Sequence, residues 1–306
     1  MSEELRIGII GLDTSHVPAF TRLLNDPEDP FHIPGGRVVA AFPSFSPDLE
    51  ASRSRVEGFE EEISDTWNVE IVSSIPALLE QVDAVLLESV DGRRHLSEAI
   101  PVIEAGKPLY IDKPLAANYG DAVAIMDLAQ ENGCPLFSSS SLRFDANILA
   151  IKGDPELGDV LACDAFSPAT LDPTNPGLFW YGIHGVEILY TFMGTACEKV
   201  RCYSTEGYDV VVGRWPEGRV ATMRGIRHGA RDYGVSVFAE NGVRQTLYSR
   251  EIPLYSQLLE RIMDFFESGE EPVDPQETLE IMAFMQASLI SAEEEREVGL
   301  DEIVRG

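Results

Sequence analysis

Six short apolar runs in the first half of the chain, separated by segments of helical period or composition, constrain the fold more than any other feature. They are Leu5 to Ile10, Val38 to Phe42, Val69 to Val72, Ala84 to Leu87, Leu109 to Ile111 and Pro135 to Ser138, and they read as strands. Repeated β-α units of this length build a mainly parallel sheet with helices on both faces, because right-handed crossovers put the helices there. That is the doubly wound class.

The pattern changes after about residue 150. Asp159 to Phe166, Lys199 to Tyr203, Val210 to Gly213, Val220 to Gly225, Val235 to Glu240 and Val243 to Tyr248 read as strands joined by short turns, one of them Asn241-Gly242. Asn-Gly is a strong hairpin signal, so neighbouring strands here are expected to be antiparallel. One helix, about Phe179 to Met193 and closed by Gly194, interrupts this region, and two more follow at about Leu254 to Ser268 and Pro275 to Glu294. The expected architecture is α/β: an N-terminal Rossmann doubly wound parallel sheet over residues 1–145 and a C-terminal α+β domain with a largely antiparallel open sheet over residues 146–306. At 306 residues and 44% hydrophobic composition the chain is long enough for two cores.

Lysine and arginine total 23 against 52 aspartates and glutamates, a formal charge of -29. Such a surface repels phosphate backbones and anionic lipid, which argues against nucleic-acid and membrane partners. The short polar start runs straight into Leu5 without a basic segment, a long apolar stretch or a cleavage site, so no export signal or membrane anchor is expected. Cys134, Cys163, Cys197 and Cys202 have no paired spacing and are expected to be reduced, buried thiols of a cytoplasmic protein.

Two groups of residues carry chemistry. Asp112-Lys113-Pro114 stands just past the carboxyl end of an apolar run, the edge of an open α/β sheet where ligands bind. A lysine partly desolvated there has a lowered pKa and can exchange a proton with a substrate hydroxyl. The following proline makes a cis bond accessible; the plainer alternative is a surface lysine after an edge strand. His184 lies on an apolar helix with Glu187 three residues on, where a carboxylate can hold the imidazole's tautomer; otherwise it is a core histidine.

Asp112-Lys113-Pro114 resembles the Glu-Lys-Pro motif of the Gfo/Idh/MocA family, with Asp112 for the usual glutamate. Asp83 to Leu87 followed by His95 is similar to that family's fourth strand and the histidine after it, and Leu142-Arg143-Phe144 to its Arg-Phe step. Gly182-Ile183-His184-Gly185-Val186-Glu187 is similar to its Gly-x-His-x-x-Asp helix, with Glu187 for the aspartate. The four pieces stand in family order over nearly the whole chain. The resemblance implies an NAD(P)-dependent oxidoreductase in which a nicotinamide exchanges a hydride with a carbinol of a sugar, polyol or cyclitol-like small molecule. Lys113 and His184, with Glu187 and Tyr181, would form the catalytic set. Gly11, Asp13, Thr14, Ser15, His16, Ser44, Ser89, His95, Asp112 and Lys113 would face NAD or NADP, and no metal is implied. It also implies a homodimer or homotetramer built on the antiparallel sheet. Arg143 reads as an ion-pair residue between domains, and His95 as either a ligand contact or packing against the sheet.

Three departures from the family pattern matter. The usual G-x-G-x-x-G turn appears as Gly11-Leu12-Asp13-Thr14-Ser15-His16 and keeps only the first glycine. Asp13 therefore puts a negative charge where a pyrophosphate belongs, a repulsion on the order of 4 kcal/mol per like-charge pair at about 4 Å and an effective dielectric of about 20. It would turn aside to cap the next helix or contact a ligand. After the second strand, Ser44 and Ser46 with Arg53 and Arg55 stand where an acid usually holds the ribose; they suit a 2′-phosphate or simply a Ser-Pro helix start. Trp180 occupies the position of an aspartate common in sugar oxidisers, and Phe179, Trp180 and Tyr181 either stack on a sugar face or fill the core. These departures keep open a non-enzymatic ligand-binding or sensor protein on the same fold. A metal-assisted lyase using Asp13, His16, His95 and His184 lacks any recognisable ligand spacing.

Overall fold

In the computed structural model residues 4–305 are described, and the first three residues of the polar start lie outside them. The chain divides into two units, one built from the residues up to Ala116, Gly120–Ser138 and Tyr255–Val273, the other from Ala117–Tyr119, Ser139–Leu254 and Asp274 onward.

The first unit is built on β1 (Leu5–Ile10), β2 (Gly36–Phe42), β3 (Glu70–Ile71), β4 (Ala84–Leu87), β5 (Leu109–Asp112) and β6 (Leu136–Ser139). They form one sheet in the order β3-β2-β1-β4-β5-β6, with parallel pairing of β1 to β2 and β4, β2 to β3, and β4 to β5. Helices α1 (His16–Asn25), α2 (Glu50–Arg53), α3 (Val56–Trp67), α4 (Ile75–Leu79), α5 (Gly92–Glu104) and α6 (Tyr119–Asn132) fill the crossovers. All four residues of β4 and of β5 are buried, as expected of strands covered on both faces. The strand order reverses between β1 and β4, which makes their carboxyl ends the topological switch point where ligands of such sheets bind.

The second unit contains α7 (Ala146–Lys152), β7 (Val160–Pro168), α8 (Ile183–Met193), β8 (Lys199–Ser204), β9 (Tyr208–Arg214), β10 (Val220–Ile226), β11 (Gly234–Ala239) and β12 (Gly242–Leu247). The chain then forms α9 (Leu254–Ser268), which belongs almost entirely to the first unit, and finishes in the second with α10 (Pro275–Glu294), β13 (Val298–Gly299) and α11 (Leu300–Val304). Burial of Leu258, Leu259, Ile262 and Phe265 along one stripe explains the attachment of α9, and the Phe265 ring packs edge-on against Phe137 of β6 at 4.9 Å.

The second sheet runs β12-β11-β7-β10-β9-β8-β13. Its pairs are antiparallel except β7 with β10, which are parallel, so the expectation of antiparallel neighbours fails at that one pair. Ala239 pairs with Gly242, so the hairpin loop is Glu240-Asn241, and Gly242 opens β12 rather than completing the turn. Every residue of α8 is buried. A Cβ on Gly185 would lie 2.7 Å from Met223 Cε, so glycine there lets α8 seat on β10. The segment expected to start this helix at Phe179 instead makes a 3-10 turn, Gly177–Phe179, and α8 begins at Ile183. All four cysteines are free and buried. Among the described residues no helix is long and apolar enough to cross a membrane.

Candidate functional site

In the first unit, the ends of β1, β4 and β5 bring together much of the expected cofactor set. Asp112 closes β5 and is almost fully buried. Its Oδ1 accepts the backbone N–H of Lys113 at 2.8 Å, and its Oδ2 lies 3.2 Å from His16 Nδ1. Burial by itself would push this carboxyl up, but the His16 ring and the Lys113 ammonium outweigh it and hold Asp112 below the usual carboxylate range. His16 opens α1, stacks on Phe20 at 5.1 Å and meets the Tyr255 ring edge-on at 4.4 Å. Lys113 is half-buried, and the peptide joining it to Pro114 is cis.

Gly11 keeps the tight turn after β1. Its φ is +87°, and a Cβ there would lie 2.3 Å from the Ser89 nitrogen, so no other residue fits. Asp13 is fully buried and does not take the first of its two expected roles, capping α1. Its carboxylate instead accepts the Val90 N–H at 2.9 Å and the Ser52 hydroxyl at 2.5 Å, and so bridges the segments that follow β4 and β2. Burial pushes its pKa up to about 6, against the hydrogen bonds from Ser52 and Val90, which lower it. Neither Thr14 nor Ser15 caps the helix through its side chain; Thr14 is buried, and the Ser15 hydroxyl pairs with Tyr255 Oη at 3.0 Å.

Other members of the expected set are committed elsewhere. The Ser44 hydroxyl donates to Glu98 and accepts from Arg94, while Ser89 Oγ donates to Glu98 at 2.6 Å. Ser46 Oγ donates to Asp91 at 2.6 Å, and Arg53 binds Glu50 and the Pro47 carbonyl, so these groups are engaged within the chain in this arrangement. His95 is fully buried, with Nε2 2.6 Å from the Ser89 carbonyl and Nδ1 2.9 Å from that of Pro114, so its ring lies between the loops after β4 and β5.

These contacts decide the fit of a dinucleotide. In this fold the pyrophosphate belongs beside the first β-α turn, over the start of the helix. Here Asp13 lies in that place, and the Ser46–Asp91 hydrogen bond and the Leu12 N–H to Ser44 carbonyl bond, 3.3 Å, close the same edge. In this arrangement the residues do not accept a pyrophosphate in the usual pose.

Glu88 lies outside every motif legible in the sequence. It stands directly after β4, is fully buried, and neither carboxylate oxygen has a hydrogen-bond partner. Burial, with Asp112 and Asp13 close by, raises its pKa well above the ordinary range and favours the protonated acid. An acid directly after an apolar strand was the available signal, the same edge argument that singled out Lys113.

In the second unit His184 is buried near the start of α8. The Ser140 hydroxyl, not Glu187, meets its Nδ1, at 2.7 Å. Glu187 accepts the Ser140 N–H at 3.3 Å and Arg143 Nε at 2.5 Å. Arg143 also pairs with Glu277 at 2.6 Å, which joins the segment after β6 to α8 and α10 within the second unit. The Tyr181 and Tyr233 rings pack edge-on against His184 at 5.0 and 5.7 Å, and the Tyr233 hydroxyl donates to that of Tyr181 at 3.1 Å. Phe179 is core, while Trp180 is only half-buried. Ser140 and Tyr233 are 44 and 49 positions from His184 in sequence, with no local pattern to announce them. Among the described residues no group of three or more His, Cys, Asp or Glu is placed to hold a metal.

Residues 5–140 match a family described as the oxidoreductase family with an NAD-binding Rossmann fold, GFO_IDH_MocA. An inositol 2-dehydrogenase of Gluconacetobacter diazotrophicus is 29% identical over 168 residues, 53% of this chain but only 45% of that protein. The structure of myo-inositol 2-dehydrogenase from Lactobacillus plantarum superposes with a TM-score of 0.78 at 14% identity, covering 97% of this chain and 99% of that one. GenD2 from gentamicin A biosynthesis, solved in complex with NAD, superposes with a TM-score of 0.77 at 16% identity over 98% and 97% of the two chains. At such identities the structural likeness is one of fold. The sequence match thus covers the parallel-sheet unit, which is similar to that oxidoreductase family, and the fold match runs over the whole length of the chain.

Proposed function

We propose that this protein is an oxidoreductase that acts at a carbinol of a sugar, polyol or cyclitol-like small molecule, with NAD or NADP as its redox partner. The observation that carries this reading is Lys113: a half-buried amine directly after an ionised, buried Asp112 at the carboxyl edge of a parallel sheet. The inositol dehydrogenase relatives support the cyclitol class.

A nicotinamide, when bound, would supply the redox half of the reaction; the proton half belongs to the chain's own groups. Lys113 gives or takes the hydroxyl proton at its Nζ, and Asp112 fixes its backbone by accepting its N–H. His184, oriented by Ser140, and the Tyr181–Tyr233 hydroxyl pair are the second unit's groups able to carry a proton or bind a hydroxyl. The apolar stripe of Phe238, Val243 and Leu247, exposed on the open face of the second sheet, supports assembly as a homodimer or homotetramer.

Lys113→Ala tests the reading. It is expected to abolish turnover of a polyol such as an inositol while leaving nucleotide affinity unchanged, and an undiminished rate would remove Lys113 from the chemistry. The buried Asp13 favours a second reading, a ligand-binding protein on this fold that works without nucleotide. Titration with NADH and NADPH, followed by nicotinamide fluorescence, separates the two: saturation supports the oxidoreductase, and its absence at millimolar concentration the binding protein.

A further inference from the structure

We propose that Asp13 is a built-in anion that occupies the dinucleotide seat of the chain's own Rossmann unit, so that a nucleotide binds only by displacing it. The inference rests on the oxidoreductase reading and adds to it a control of cofactor affinity. The first observation is position. Asp13 lies two residues beyond Gly11, at the strand-order reversal between β1 and β4, where this fold places phosphates.

The second observation is what holds the carboxylate. A backbone N–H from Val90 and the Ser52 hydroxyl both donate to it, and these are the donor types that phosphate-binding turns present. Asp13 stands two residues before Ser15, the N-cap position of α1, and its carboxylate oxygens are taken by Ser52 and Val90. The Asp13 carboxylate is therefore spent on donors from the segments after β2 and β4.

The third is closure of the rim. Ser46 is tied to Asp91, and Asp91 to Arg93, which also reaches Asp48, so the segment after β2 is fastened to the start of α5. The Asp13 bridge belongs to the same set of ties. A phosphate entering the seat would inherit the Val90 and Ser52 donors but would first have to expel a charge of its own sign. The residue standing where the family carries its second glycine thus competes with the ligand for the same two donors.

The test is the affinity of the full-length wild type, Asp13→Gly and Asp13→Asn for NADH and NADPH, read by nicotinamide fluorescence, with a thermal melt establishing that each variant is folded. Asp13→Gly is expected to bind at least tenfold more tightly than wild type. Asp13→Asn is expected to show a smaller gain, because it removes the charge and keeps the bulk. Dissociation constants within twofold of one another would overturn the proposal, and so would folded variants that fail to bind. If Asp13→Gly does not fold, Asp13→Asn decides: at least threefold tightening supports displacement, and none refutes it. Failure of the oxidoreductase reading shows elsewhere, in a turnover rate that Lys113→Ala does not change.

Discussion

Replacing Asp13 by asparagine is expected to change the pH dependence of stability in a direction and by an amount that the structure sets. Burial raises this carboxyl from 3.8 to about 6, so the folded state holds its proton more tightly than the unfolded chain does. Its contribution to stability is therefore fully present below about pH 3.8 and is lost as pH rises through about 6. The gap between the two values corresponds to about 3 kcal/mol once the group is fully ionised in both states. Roughly half of that loss is in place by pH 5, and most of the rest is added by pH 8. Asparagine does not titrate, so urea unfolding of wild type and Asp13→Asn at a series of pH values reads Asp13 together with its coupling to Glu88, while the many surface carboxylates cancel in the difference. The variant is expected to gain on wild type by about 1 to 2 kcal/mol between pH 5 and pH 8, whatever constant offset the altered hydrogen bonds introduce. A stability difference that stays flat with pH, or that moves in favour of wild type as pH rises, would refute the account of Asp13 as a carboxylate buried against its charge.

Three further outcomes follow from particular contacts. Arg143→Ala leaves Glu187 and Glu277 facing each other in a buried setting and is expected to cost about 3 to 5 kcal/mol in chemical denaturation. Gly11→Ala forces a methyl group against the Ser89 backbone at a positive φ and is expected to lower the melting temperature by more than a surface Gly→Ala change such as Gly58→Ala, where nothing lies within 4 Å. Paired charges in Phe238→Asp and Val243→Asp are expected to convert an oligomer to a monomer in light scattering, and an unchanged mass would move the assembly surface elsewhere.

The strands of both sheets were legible because each buried strand repeats a short apolar signature, and the turn residues between them act locally. The carboxyl edge of the first sheet was legible for the same reason: Lys113 and Asp112 follow an apolar run, and in an open parallel sheet that end collects ligands. The parallel β7–β10 pair was not, because a strand's neighbour depends on how the chain crosses the sheet and not on the strand's own residues. The attachment of α9 to the first unit was equally invisible, since its amphipathic stripe states that one face is buried but not against what.

Side-chain commitments marked the other limit. Glu187 looked like the partner of His184 because three residues along a helix bring two side chains to one face, yet a serine 44 positions earlier takes the imidazole and an arginine takes the carboxylate. Asp13 shows the division most clearly. By itself the sequence determined that a charge stands where a glycine is usual, and that the charge opposes a phosphate. Only the tertiary structure decided where the charge goes, because its donors, Ser52 and Val90, lie 39 and 77 residues away and meet it only when β1, β2 and β4 align in one sheet. Local spacing can specify which residue faces an edge, but a buried polar group takes the partners that long-range packing leaves within reach.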